Sequence, residues 1–148
     1  MNKSTRSFLI LAICASLFLA APLIPAQASG GGTGILLILD CSGSMWGRVE
    51  GKAKITIAKQ VTQELIKDVP DNVQLGLMAY GHRKKGDCKD IQMMGQLGAS
   101  KDELAGAVKS LNARGKTPIA DSLLKAGELL AQREGATTLV LVSDGLET

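Results

Sequence analysis

The sequence predicts an α/β fold: an open, doubly wound, mostly parallel sheet with one antiparallel hairpin. Three observations carry this. Ile35-Leu36-Leu37-Ile38-Leu39 and Leu139-Val140-Leu141-Val142 are short, continuous apolar runs bounded by turn residues, the pattern of strands buried on both faces. Segments of helical periodicity lie between the strands, as an α/β order requires. Val73 to Tyr80 and Ile91 to Met94 are joined by a polar loop, His82 to Asp90, long enough for a hairpin and too short for a helical crossover.

The first apolar run ends at Asp40. A helix follows, with Ile57, Ala58, Val61 and Leu65 on one face, and it closes at Pro70-Asp71-Asn72. After the hairpin, Ser100-x-x-Glu103 reads as a capping box that opens a short helix with Leu104, Val108 and Leu111 turned inward. Another helix starts at Thr117-Pro118 and carries Ile119, Leu123, Ala126 and Leu130 on its apolar stripe. Leu139 to Val142 is then expected to be a fully buried strand, ending at Ser143-Asp144-Gly145. In such sheets ligands gather outside the carboxyl ends of the strands, and two strands here end in an aspartate, Asp40 and Asp144.

The 148 residues give room for one domain, and 45% of them are hydrophobic, enough to bury a core. Aromatics make up only 3%, which argues against stacking on nucleic-acid bases. The formal charge of +3 includes Lys3 and Arg6, which lie in a segment expected to be removed. What remains is near neutral, and no basic patch arguing for nucleic acid or an anionic membrane surface is expected.

Residues 1–28 read as a signal peptide. Lys3 and Arg6 form a positive start, Phe8 to Ala20 is an apolar run too short to span a bilayer comfortably, and Ala26-Gln27-Ala28 supplies a cleavage pattern. Cleavage after Ala28 leaves a Gly-rich linker over 29–32, a folded domain over 33–148, and a periplasmic or secreted protein with no stable membrane span. An uncleaved anchor is the alternative. Cys14 leaves with the signal, so Cys41 and Cys88 remain in an oxidising compartment, able to pair with each other or with a cysteine elsewhere. Neither CxxC nor a Cys/His cluster occurs, and zinc is not indicated.

Asp40-Cys41-Ser42-Gly43-Ser44 is a D-x-S-x-S turn at a strand end, presenting one carboxylate and two hydroxyls to a common point. Thr117 adds a hydroxyl from a loop before a helix, and Asp144 a carboxylate at another strand end. All five are hard oxygen donors, a set that suits Mg²⁺, with Mn²⁺ or Ca²⁺ as substitutes. Each also has a plain structural reading. The serines could be turn residues around Gly43, Thr117 could be a helix N-cap, and Asp144-Gly145 an ordinary turn.

Taken together, Asp40, Ser42, Ser44, Thr117 and Asp144 resemble the metal-ion-dependent adhesion site of the von Willebrand factor type A domain, and the resemblance runs from about Thr33 to the end. It implies direct coordination by Ser42 and Ser44, and by Thr117 when a partner is bound. It implies that Asp40 and Asp144 act mainly through waters and hydrogen bonds. It also implies a coordination position left for a Glu or Asp of a protein partner. The family carries further strands and helices after the S-D-G strand, so the chain is expected to be C-terminally truncated, with its last strand an exposed edge.

Trp46, directly after the serine loop, and His82, in the hairpin loop, are candidate partner contacts; packing against a neighbouring loop and a solvated loop are their respective alternatives. The expected function is metal-dependent protein binding without catalysis. The rivals are a structural domain that holds no metal and, less well supported, a metal-dependent hydrolase or phosphotransferase. The latter lacks a second Asp two residues after Asp40, a G-x-S-x-G elbow, and any base other than His82.

Overall fold

The computed structural model describes residues 32–145; the predicted signal peptide, most of the glycine linker and the last three residues lie outside that range. Strand β1 (Gly34–Asp40) forms from the first apolar run and pairs in parallel with β4 (Gln74–Tyr80) and with β6 (Thr137–Val142). Strand β5 (Ile91–Gly95) runs antiparallel to β4, completing a sheet of order β5-β4-β1-β6. Helix α1 (Lys54–Asp68) connects β1 to β4, and helices α2 (Lys101–Ser110) and α3 (Ile119–Ala131) lie between β5 and β6.

The unbroken apolar character of β1 follows from cover on both sides. Alternate residues face opposite ways. Leu37 and Leu39 join Ile55, Ala58 and Ile66 of α1 and Leu104 and Val108 of α2 in one core. Leu36 and Ile38 join Met78, Tyr80 and Ala126 of α3 in another, on the opposite face. The result is a doubly wound, three-layer α/β/α arrangement.

Helix α2 matches expectation: Ser100 accepts a hydrogen bond from the Glu103 amide at 3.2 Å, and Leu104, Val108 and Leu111 are buried. Helix α1 is rotated from its predicted face, while α3 keeps most of its own and departs at two positions. In α1 the buried positions are Ile55, Ala58, Thr62 and Ile66, while Val61 stands out in solvent. In α3 Ile119, Ala126 and Leu130 pack on the core as predicted, but Ser122 is buried beside them and Leu123 is exposed. The reason is common to both. Thr62 donates its hydroxyl to the Ala58 carbonyl at 2.7 Å, and Ser122 to that of Pro118 at 2.7 Å. A hydroxyl satisfied by the backbone four residues earlier can sit in a core, and apolar periodicity passes over it. Helix α3 also begins one residue later than predicted, with Pro118 at the N-cap.

The apolar run of β6 is not fully buried; the exposed edge that the family resemblance implied is what the structure shows. Strand β6 is the edge of the described sheet, with β1 as its one neighbour, and Leu141 is 37% exposed. Among the described residues no helix is long and apolar enough to cross a membrane.

A candidate oxygen-donor site at the strand ends

After β1 the chain turns through a short 3₁₀ helix, Gly43–Trp46, then through a ribbon of β2 (Arg48–Val49) and β3 (Lys52–Ala53) that the sequence reading left unassigned. Its two-residue turn, Glu50-Gly51, has both φ angles positive, as a type I′ hairpin turn requires. The ribbon delivers Lys54 to the first turn of α1.

Asp40 is fully buried at the end of β1. One carboxylate oxygen accepts the Ser42 amide at 2.7 Å, closing the turn. The other accepts the Ser143 hydroxyl at 2.8 Å, tying the ends of β1 and β6 together. The Ser42 and Ser44 hydroxyls are 3.0 Å apart, and Ser44 donates to Asp144 at 3.2 Å. Asp40, Ser42, Ser44 and Asp144 therefore form one linked cluster across a sequence separation of about a hundred residues. Thr117 is buried in the adjoining loop between α2 and α3.

Two glycines hold that loop against the serine turn. Gly115 accepts the Gly43 amide at 2.9 Å, and its own amide donates to Gly81 at 2.7 Å. The Arg114 amide is shared between the Cys41 and Gly81 carbonyls, at 2.9 and 3.0 Å. A Cβ on Gly115 would lie 2.7 Å from the Gly81 Cα, so only two glycines allow this approach.

Three residues that the sequence reading gave no role belong here. Ser143 orients Asp40. Lys54 places its ammonium 3.0 Å from the second oxygen of Asp144. A cation in the first turn of a helix works against the macrodipole, and α1 has no acid there to offset it, so the pairing with Asp144 is what favours this placement. The Tyr80 hydroxyl, on the strand in register with Asp40, is buried without a hydrogen bond. Burial raises its phenol well above the ordinary value; Ser143, nearby but outside hydrogen-bond geometry, opposes this only in part. Residues 90 positions apart leave no local signal for Lys54, whereas Ser143 was visible within S-D-G.

The two candidate contacts differ. Trp46 is 59% exposed beside the serine turn, and its indole N–H donates to the Ala113 carbonyl at 2.8 Å, so it is both anchored to a neighbouring loop and presented outward. His82 is turned inward instead: its side chain is 8% exposed, with Nε2 3.2 Å from Gln92. Asp90, also buried, accepts Arg83 Nε at 2.6 Å and the Arg83 and Lys84 amides at 2.7 and 3.1 Å. The loop is thus organised around an internal carboxylate and is not simply solvated.

Burial lowers the His82 pKa below 6.5, with Asp90 opposing. Burial also disfavours the Asp90 carboxylate, but the hydrogen bonds from Arg83 and Lys84 outweigh it and hold the group below 3.8. A histidine kept neutral in the fold binds protons more readily when unfolded, so stability falls as pH drops below 6.5. The Asp90 contribution, present above 3.8, is lost as pH falls through its lower folded value. Urea midpoints measured from about pH 7.5 to 5 should fall, and His82→Asn should flatten that fall.

Cys41 and Cys88 do not pair: Cys41 is buried and free, Cys88 exposed and free. Burial, then the neighbouring Asp40, push the Cys41 thiol up to about 12, which leaves it protonated and unreactive. Among the described residues no three His, Cys, Asp or Glu side chains gather as metal ligands, so the hydroxyls are essential to any ion held at the cluster.

A parallel sheet wrapped by helices, with a hydroxyl and carboxylate cluster at its strand ends, defines an α/β domain with its site at the carboxyl edge. The chain belongs to the von Willebrand factor type A domain family, whose profile matches residues 35–147. The Bacillus subtilis protein YwmC is 26% identical over 124 residues, which cover 77% of this chain and 55% of YwmC; the chain spans about half the length of this curated relative. The vWF domain of the type V pili tip protein Mfa5 from Porphyromonas gingivalis superposes with a TM-score of 0.64 at 20% identity, over 79% of this chain and 39% of that one. The pilus adhesin SpaC from Lactobacillus rhamnosus GG gives a TM-score of 0.62 at 20% identity, over 82% and 16%. At these identities the structural likeness concerns the fold.

Proposed function

We propose that the chain is an exported, non-catalytic, metal-dependent protein-binding module. It holds Mg²⁺, with Mn²⁺ or Ca²⁺ as substitutes, at Asp40, Ser42, Ser44, Thr117 and Asp144. Its partner is a protein that supplies an Asp or Glu carboxylate to the ion.

The observation that carries this reading is the pair of serine hydroxyls 3.0 Å apart. Two oxygens at neighbouring positions around an octahedral ion with bonds of about 2.1 Å are themselves separated by about 3.0 Å. Asp144 lies 3.2 Å from Ser44, and Asp40 sets the turn from beneath through the Ser42 amide. The unpartnered Tyr80 hydroxyl beside Asp40 and Ser143 is a buried group, costing about 1–3 kcal/mol, that water on a bound ion would satisfy. Hydroxyls bring no charge, so the ion keeps excess positive charge to attract an outside carboxylate. Export rests on the N-terminal segment and fits the surface setting in which pilus tip and adhesin proteins use this fold. The protonated Cys41 thiol and the inward His82 supply no activated nucleophile–base pair, which favours binding over catalysis.

Thermal unfolding with Mg²⁺ against chelator tests the site. At about 100 times the dissociation constant the ion should stabilise the fold by about 2.7 kcal/mol. Asp144→Ala should abolish that rise; a chain equally stable with and without Mg²⁺ would leave a domain that holds no metal. Lys54→Met should act in the opposite direction. Its ammonium competes for Asp144, and a partly exposed pair of about 0.5–1 kcal/mol corresponds to roughly two- to fivefold tighter Mg²⁺ binding once removed, measurable by calorimetric titration.

A further inference from the structure

The fold gathers positive charge that the sequence disperses. Arg48 and Lys52 stand on the ribbon after β1, Lys84 and Lys85 in the loop after β4, and Arg114 and Lys116 in the loop before α3, all exposed. The loops after β4 and before α3 meet the serine turn at the carboxyl edge of the sheet through hydrogen bonds of 2.7–3.0 Å among Cys41, Gly43, Gly81, Arg114 and Gly115, and Trp46, at the base of the ribbon, is tied to Ala113 at 2.8 Å. None of the six makes a salt bridge among the described residues. The acids in the same loops are Glu50, Asp87 and Asp90; Asp87 is engaged with the Lys89 amide, and Asp90 is buried and held by Arg83 and the Lys84 amide. Elsewhere the charges are mixed: Lys67 adjoins Asp68, and Lys101 pairs with Asp71 at 2.8 Å.

We propose that this rim is a docking surface for a strongly acidic protein segment carrying several carboxylates around the one that would reach the oxygen-donor cluster. The central contact rests on the metal-site reading above; the surrounding electrostatic contact does not. Like charges held together at one edge cost free energy unless a partner of opposite sign uses them, and such rims raise the rate of encounter. A protein segment fits better than a nucleic acid. The rim encloses the Asp40 and Asp144 carboxylates, which repel a continuous phosphate backbone but leave room between discrete side chains. Among the described residues Trp46 is the one exposed aromatic of the Phe, Tyr and Trp set, since Tyr80 is fully buried, and it offers an apolar contact but not the series of stacking platforms that single strands use.

Trp46 is also the sole tryptophan of the chain, so its emission reports on this rim directly. The full chain would be titrated with a Glu-Gly repeat peptide, its Gln-Gly counterpart and a DNA duplex, each with Mg²⁺ and with chelator. The Glu-Gly peptide should bind, the Gln-Gly peptide should not, and raising NaCl from about 50 to about 500 mM should weaken binding about tenfold or more. The Lys84→Glu, Lys85→Glu double variant should lose about tenfold with chelator as well as with Mg²⁺, and Lys67→Glu, at the opposite end of α1, should change nothing. If Mg²⁺ makes no difference while charge reversal does, the metal reading falls and the rim stands. The rim inference is overturned if the Glu-Gly peptide fails to bind at low salt, if charge reversal leaves its affinity intact, or if the duplex binds more tightly.

Discussion

Gly81→Ala is expected to lower the free energy of unfolding by roughly 3 kcal/mol, by combining a left-handed backbone with overpacking. Gly81 has φ of +67°, where a side chain costs about 1–2 kcal/mol. A Cβ there would also stand 2.6 Å from the Lys116 carbonyl oxygen and 3.1 Å from that of Cys41, both backbone atoms that cannot rotate away. Relief requires moving the serine turn or the Thr117 loop, so the variant should also bind metal more weakly. In urea the midpoint should fall with an unchanged slope. Gly106→Ala provides the contrast, since nothing lies within 4 Å of its Cβ and the position is helical; there, a gain of up to about 1 kcal/mol is expected. If Gly81→Ala matched the parent, the loops would not be stitched through that residue.

The second large effect is on the ion. Asp40→Ala is expected to weaken Mg²⁺ binding about 100-fold, the scale seen when a group that orients metal ligands is removed. Asp40 receives the Ser42 amide and the Ser143 hydroxyl, so its loss frees the turn carrying both serines and leaves buried donors unpaired, costing about 1–3 kcal/mol. Asp40→Asn keeps an acceptor of the same shape and separates the two consequences: it should recover much of the stability and little of the affinity. Calorimetric titration beside urea unfolding reads both. An Asp40→Ala chain with parental Mg²⁺ affinity would remove Asp40 from the site.

Much of this arrangement is legible in the sequence, and the exceptions have physical causes. Strand β1 shows itself because cover on both faces makes every residue apolar, and Ser100 caps α2 through a local contact that spacing alone detects. The Asp40, Ser42 and Ser44 turn is equally local, and the fold brings Asp144 to it. What escaped depends on contacts that no local pattern encodes. Thr62 and Ser122 are buried because backbone carbonyls satisfy them, so counting apolar residues rotated α1 and put Leu123 in place of Ser122 in α3. His82 turned inward because Asp90 and Gln92 organise its loop from within. Arg83-Lys84-Lys85 is a visible basic run, but its joining with Arg114 and Lys116 into one rim arises only when the loops converge.

The central claim is that Ser42 and Ser44, with their carboxylates, hold a divalent ion. Electron paramagnetic resonance of Mn²⁺ tests it most directly, because free Mn²⁺ gives a strong signal that weakens on binding. The account predicts uptake of a single Mn²⁺ per folded chain, displacement by Mg²⁺, and loss of uptake in a Ser42→Ala, Ser44→Ala double variant that unfolds like the parent. Folded chain that takes up no Mn²⁺, or a double variant that binds it as well as the parent, would contradict the account.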